Sequence, residues 1–228
     1  PRGARVIDGA GKTVIPGIVG LHNHSWYATS GRAVQSNWSS PRLYLASGVT
    51  AIRTTGSMSP YAELNLKRSV DAGIIPGPRF HIAGPYLTGG AQRPSVIRIV
   101  NSPEGVRRDI AYWAMEGATW FKFLGEVTRE VLAAGIDEAH KRGLKVTGHL
   151  CSVTFTEAAA MGIDALQHGF LTNSDYVPTK RPDVCPPENM RMQADVDVKS
   201  AAVQESIRRI IAGKAAVVST LGVYETFM

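Results

Sequence analysis

From residue 20 onward, short β-branched apolar runs alternate with helix-like stretches, and this alternation constrains the fold more than any other feature of the chain. The runs predict strands at 21–24, 49–54, 78–83, 118–124, 144–149, 163–168 and 215–221. Helices are expected between them at 59–73, 102–117, 128–143 and 152–162. Several open on Ser or Thr and close on Gly, the residues that cap and stop helices. "SPEG" adds a proline at the first helical position. Strand and helix in strict turn imply a parallel sheet covered by helices. Seven units in one order favour a (β/α)8 TIM-type barrel over a doubly wound sheet. The two differ in where polar residues belong: at the C-terminal ends of many strands in a barrel, at one switch-point crevice otherwise.

Two stretches break the rhythm. Residues 1–20, with a Gly-Ala-Gly turn between apolar runs, read as a hairpin left from a small β-sandwich, so domains are expected at 1–20 and 21–228. Residues 171–198 are Pro-rich and polar, and a loop of that length inside a compact domain is usually functional. It follows the sixth strand, which puts it in reach of a barrel mouth.

Composition removes several function classes. No apolar run reaches the roughly 18 residues a membrane span needs. The formal charge of +6 comes from scattered pairs such as Lys67-Arg68 and Arg208-Arg209 on expected helices, a solvated pattern with no nucleic-acid reader motif. Only two cysteines, Cys151 and Cys185, are present, so no disulfide framework is expected and both read as idle thiols. No secretory leader precedes residue 20, but the abrupt opening reads like the interior of a longer chain, and the compartment is left open.

The polar residues then decide between the two architectures. His22 and His24 end the first strand, and a period of two puts both on one side. Lys122 lies within the apolar "WFKFLG" of the fourth strand, where a charged amine needs a partner, a neutral state or modification. His149 ends the fifth strand and His168 the sixth. One such histidine is ordinary, whereas four with a buried lysine, all aimed at one mouth, point to a metal centre. His81 reads as a core or supporting residue and His140 as a surface one.

This arrangement resembles the amidohydrolase superfamily, metal-dependent hydrolases on a distorted (β/α)8 barrel. The residues that carry the resemblance are "PGIVGLHNH", "ASGVTAIRTTG", "GPRFHIAGPYLTGG", "GATWFKFLG", "AHKRGLKVTGHL" and "GIDALQHG", nearly the whole chain. "GPRFHIAGPYLTGG" and "VVSTLGVYETF" look most like the imidazolonepropionase and Xaa-Pro dipeptidase-like branch. The resemblance implies that His22 and His24 hold the more buried of two metals, most simply Zn2+. It implies that Lys122 carries a CO2-derived carbamate bridging both, and that His149 and His168 hold the second. Lys122, His149 and His168 are thereby the catalytic candidates, acting through a metal-bridging hydroxide. Tyr86 and Thr88, after the third strand, and Tyr224, after the seventh, are the expected substrate contacts.

The chain departs from the family pattern in two places. Gly20 stands where the family has an Asp two residues before the first histidine. No eighth strand follows before Met228, so the family's last ligand, an Asp, is absent. The resemblance is therefore to an incomplete barrel, strands one to seven, with impaired catalysis expected of this chain alone. The implied function is cleavage of a C–N amide bond in a small molecule: a dipeptide, an N-acyl amino acid or a cyclic amide. Self-association as a homo-oligomer is compatible with it. The alternatives are a mononuclear deaminase of the same superfamily and a degenerate, non-catalytic metal-binding barrel. Against the deaminase, Leu150, Cys151 and Ser152 follow His149 where a His-x-x-Glu motif belongs.

Overall fold

The structure, a computed structural model, describes residues 3–29, 32–90 and 97–223. Its elements run β1 (Ile18–Asn23), β2 (Trp26–Thr29), β3 (Arg32–Gln35), α1 (Ser40–Ala46), β4 (Val49–Thr54), α2 (Pro60–Asp71), β5 (Arg79–His81), β6 (Ala83–Thr88) and β7 (Ile97–Ile99). They continue as α3 (Pro103–Glu116), β8 (Trp120–Phe123), α4 (Arg129–Lys141), β9 (Lys145–Gly148), α5 (Phe155–Ala160) and β10 (Ala165–Gln167). After the long loop come α6 (Asn189–Met192), a short 3₁₀ turn at Gln193–Asp195, α7 (Ala201–Ala212) and β11 (Ala216–Val218).

Apart from the antiparallel pair β2-β3, the strands pair in parallel. One parallel sheet has the order β1-β4-β5, the other β11-β10-β9-β8-β6-β7, and a parallel bridge between Ser57 and Pro85 joins them. The expected third strand is divided at the fully buried Ile82: β5 pairs with β4, and β6 pairs with β8. Tyr86 and Thr88 therefore lie on a strand, not beyond one. β1 pairs with β4 and β11 with β10, and among the described residues these two end strands do not pair with each other. The hairpin expected in residues 1–20 is not formed among residues 3–17, which are exposed and carry only turns such as Lys12 N–H to Gly9 O. Residues 18–20 belong to β1, so the boundary expected at residue 20 falls inside a strand of the parallel sheet.

Helix starts follow local chemistry. Ser102 caps α3 by accepting from the Gly105 N–H, and Thr128 caps α4 by accepting from Val131. α5 starts at a reciprocal capping box: Thr154 Oγ1 accepts from the Glu157 N–H, and Glu157 accepts from the Thr154 N–H at 2.9 Å. The helices then cover the sheet's outer face. Phe121 and Phe123 of β8 alternate outward into a core with Val106, Leu132, Ile136 and Leu166. Gly135 sits in mid-helix, where glycine costs up to about 1 kcal/mol. Its role is proximity, since a Cβ there would lie 2.4 Å from the Phe123 ring. A smaller core packs Leu64 and Leu66 of α2 on Ile52, Phe80 and Ile82.

Asp164 ties three elements together at the opposite end from the strand C-termini. It accepts from the Val146 N–H at 2.8 Å, from His140 Nε2 at 2.9 Å and from Lys145 Nζ at 2.7 Å. Asp164→Ala is expected to destabilise by about 1–3 kcal/mol, chiefly through the orphaned Val146 N–H. Urea denaturation at neutral pH measures this. His140 is thus a surface residue, as expected, while His81 is exposed on β5 rather than in the core.

Candidate metal and active site

Alternation along the strands sends one set of side chains into the helices and the other to the opposite face of the sheet. On β8 the inward pair is Trp120 and Lys122. Arg53 of β4 stacks over the Trp120 ring at 4.2 Å and donates from Nε to Leu21 O at 2.9 Å. Above this base, at the strand C-termini, stand His22 on β1, His24 just after it, His149 just after β9 and His168 just after β10. These four rings, Lys122 and Tyr86 line one cavity of about 240 Å3. Thr88 lines a neighbouring cavity that His149 shares. Tyr224 lies outside the described residues.

The rings touch in a chain. Centroids are 5.3 Å apart for His22 and His24, 4.8 Å for His22 and His168, and 4.6 Å for His149 and His168. Their outer nitrogens are held by neighbours: His22 Nδ1 pairs with Gln167 Oε1 at 2.5 Å, and His168 Nδ1 with Thr220 Oγ1 at 3.0 Å. Gln167 in turn donates to Thr147. An amide oxygen only accepts, so this contact assigns the His22 proton to Nδ1 and leaves Nε2 with a lone pair. His168 and Thr220 both have positive φ, 68° and 52°, a backbone conformation costly for residues with a Cβ. Gly56 follows β4 at φ 89°, and a Cβ there would meet the Tyr86 ring at 2.3 Å, so glycine makes room for that tyrosine at the cavity wall.

Burial sets the charge of the site. It is the largest cause holding His22 down to about 3 and His24 and His149 to about 4, with Lys122 adding to each. His168 is lowered to about 2 by burial, then by Lys122 and the other three rings. At neutral pH all four imidazoles are therefore uncharged, the form that binds a metal. Lys122 is lowered well below its ordinary value, first by burial and then by Arg53. Both disfavour its charged form.

The donor set suits a divalent ion of the Zn2+ type, which takes neutral imidazole readily. None of the residues lining the cavity is a carboxylate. A second ion there would need an anionic ligand, which a carbamate on Lys122 would supply. Among the described residues, no group of three or more His, Cys, Asp or Glu has its donor atoms gathered for an ion. The chemistry of the residues fits the implied group, while the rings pack against one another rather than around a centre.

Sequence reading missed three contributors. Arg53 carries the same signal as Lys122, a cation inside an apolar strand, and Gln167 precedes His168 on the inward register of β10. The third is covalent: Cys151 and Cys185, expected as idle thiols, form a disulfide across 34 residues. Spacing alone holds no sign of it. It ties the loop after β10 to the segment after β9, two residues beyond His149.

No protein-family model matches the chain, and no curated protein does either. Solved structures do. A putative prolidase from Bifidobacterium longum is 22% identical with a TM-score of 0.64, covering 94% of this chain and 58% of its own. An amidohydrolase is 20% identical at 0.61, covering 96% and 68%. A Xaa-Pro dipeptidase with bound methionine is 17% identical at 0.60, covering 90% and 65%. The chain spans 58 to 68% of the length of these three. At such identities the likeness is one of fold: this chain folds as amidohydrolase and prolidase structures do.

Proposed function

We propose that this chain, folded like the amidohydrolases and prolidases, carries the metal-dependent site of an amide hydrolase. The substrate would be a dipeptide, an N-acyl amino acid or a cyclic amide. One observation carries the reading: four uncharged imidazoles from three strand ends share a cavity with a buried lysine, and no carboxylate lines it. His22 and His24 would hold one ion, and His149 and His168 the other. Bound there, divalent ions would activate water and polarise the amide carbonyl. As the free amine, the Lys122 nitrogen would add to the carbon of CO2, and loss of one proton from the adduct would leave a carbamate, the anionic ligand that two cations would need. Gln167 keeps the His22 lone pair on the cavity side. Tyr86, whose hydroxyl is held protonated by burial and then by Glu63, offers a hydrogen-bond donor 3.5 Å from His24 Nδ1.

A second reading, a non-catalytic barrel, draws on the ring-on-ring packing described above. Metal content decides. After reconstitution with Zn2+ and bicarbonate, two ions per chain with hydrolysis of a dipeptide or N-acyl amino acid support the proposal. One ion with deamination supports the mononuclear alternative, and none supports the non-catalytic barrel. Gln167→Met is expected to lower metal affinity by about 10–100-fold, the usual effect of removing a ligand's orienting partner. Competition with a chromogenic chelator reads it, and unchanged affinity would deny Gln167 that role.

A further inference from the structure

The cavity shared by His149 and Thr88 has a volume of about 510 Å3, the size of small-molecule sites. It adjoins the histidine cavity, and Ile97, Leu124 and His149 line both. Its opposite wall is Pro186, Pro187 and the Cys151–Cys185 disulfide. Glu126, its charged lining residue, disfavours an anionic group. The wall belongs to the long loop, which is anchored on either side. Lys180 Nζ donates to Ser152 O at 2.7 Å, Asp183 accepts from Arg129, and Asn189 Nδ2 donates to Thr172 O at 2.9 Å. Between those anchors, among the described residues, the hydrogen bonds of 184–187 run within the loop, as from Val184 N–H to Arg181 O and from Asn189 N–H to Pro186 O. Prolines 186 and 187 have no N–H to donate. The disulfide is what joins this wall to the strand end bearing His149.

We infer that this cavity is the subsite for an apolar side chain next to the scissile amide, and that the Cys151–Cys185 disulfide clamps its proline wall, so that substrate preference depends on the thiol–disulfide state. The inference rests on the amide-hydrolase reading for its substrate class. Aliphatic and proline surfaces on facing sides select apolar groups by the water they exclude. Cys185 is half-exposed and Cys151 buried, so an attacking thiolate reaches the Cys185 sulfur first. A dithiol reductant forms a mixed disulfide there and then closes on itself. It gives up two electrons and two protons, leaving two cysteine thiols and an oxidised cyclic disulfide.

The test is calorimetric binding of N-acetyl-leucine amide and N-acetyl-glycine amide to the protein in three forms: oxidised, reduced with dithiothreitol, and Cys185→Ala. Circular dichroism checks that each is folded. The oxidised protein is expected to bind the leucine compound at least about 10-fold more tightly. The ratio should fall to about 1–2 in the other two forms, with faster tryptic cleavage after Lys180. Equal binding of both compounds by the oxidised protein overturns the subsite. A preference and a cleavage rate identical in all three folded forms overturn the clamp. Binding that behaves as expected in a protein that hydrolyses neither compound counts against the proposed function, and supports the apolar cavity and its disulfide clamp as a binding site without the scissile amide.

Discussion

Lys122→Met is expected to abolish amide hydrolysis while leaving the chelated protein within about 1.5 kcal/mol of wild-type stability. The two halves of that expectation have separate causes. The lysine stem is packed at 2% exposure between Tyr86 on β6 and Thr147 on β9, and methionine refills nearly the same volume. Burial and then Arg53 disfavour its charged form, and no carboxylate lines the cavity to pair with it. What disappears is the only lining group that CO2 can turn into an anion. The loss of metal should exceed the roughly 10–100-fold that an orienting residue contributes. Ion content, hydrolysis and urea denaturation are measured on one preparation. Full activity with two ions bound would remove Lys122 from the site, whereas a misfolded variant would show in the denaturation curve.

Glu63 carries the second large effect, on stability rather than activity. It sits on α2 with no exposed surface, and neither carboxylate oxygen reaches a hydrogen-bond partner of good geometry. Burial raises it to about 7, against the pull of Ser57, Thr54, Gln35 and the Ser25 N–H facing it. A carboxyl with a raised pKa binds its proton more tightly when folded. The folded state therefore loses stability as pH climbs from about 4.5 through about 7, by roughly 3 kcal/mol in all. The four histidines of the cavity run the other way. Their lowered values make the unfolded chain the better proton binder below about 6.5, so they add stability as pH rises to that point. The Glu63 effect is accordingly read as a difference. The stability of Glu63→Gln relative to wild type should grow by roughly 3 kcal/mol between pH 4.5 and 8. A difference that stays flat across that range would mean that Glu63 is ionised and solvated in the folded protein.

How far these features were visible in the sequence depends on whether their cause is local. Helix starts at Ser102 and Thr128 are local, because a side chain three residues away satisfies the N–H, and they lie where Ser or Thr was read as a cap. The histidines and Lys122 stood out because a polar residue at the end of, or inside, an apolar run is anomalous on its own strand. Glu63 did not stand out. It shares the buried face of α2 with Leu66, yet a glutamate in an amphipathic helix is unremarkable until the helix is docked.

The sequence by itself therefore determined the succession of strands and helices, the parallel architecture it implies and the polar residues at the strand ends, since periodicity and capping act over a few residues. Only the tertiary structure decided the rest. It divided the third strand at Ile82, because its two halves find different neighbours. It drew residues 18–20 into β1, exposed His81, put Arg53 and Gln167 beneath the rings, and joined Cys151 to Cys185. Each of these depends on contacts between segments far apart in the chain, whose energies no local pattern of residues encodes.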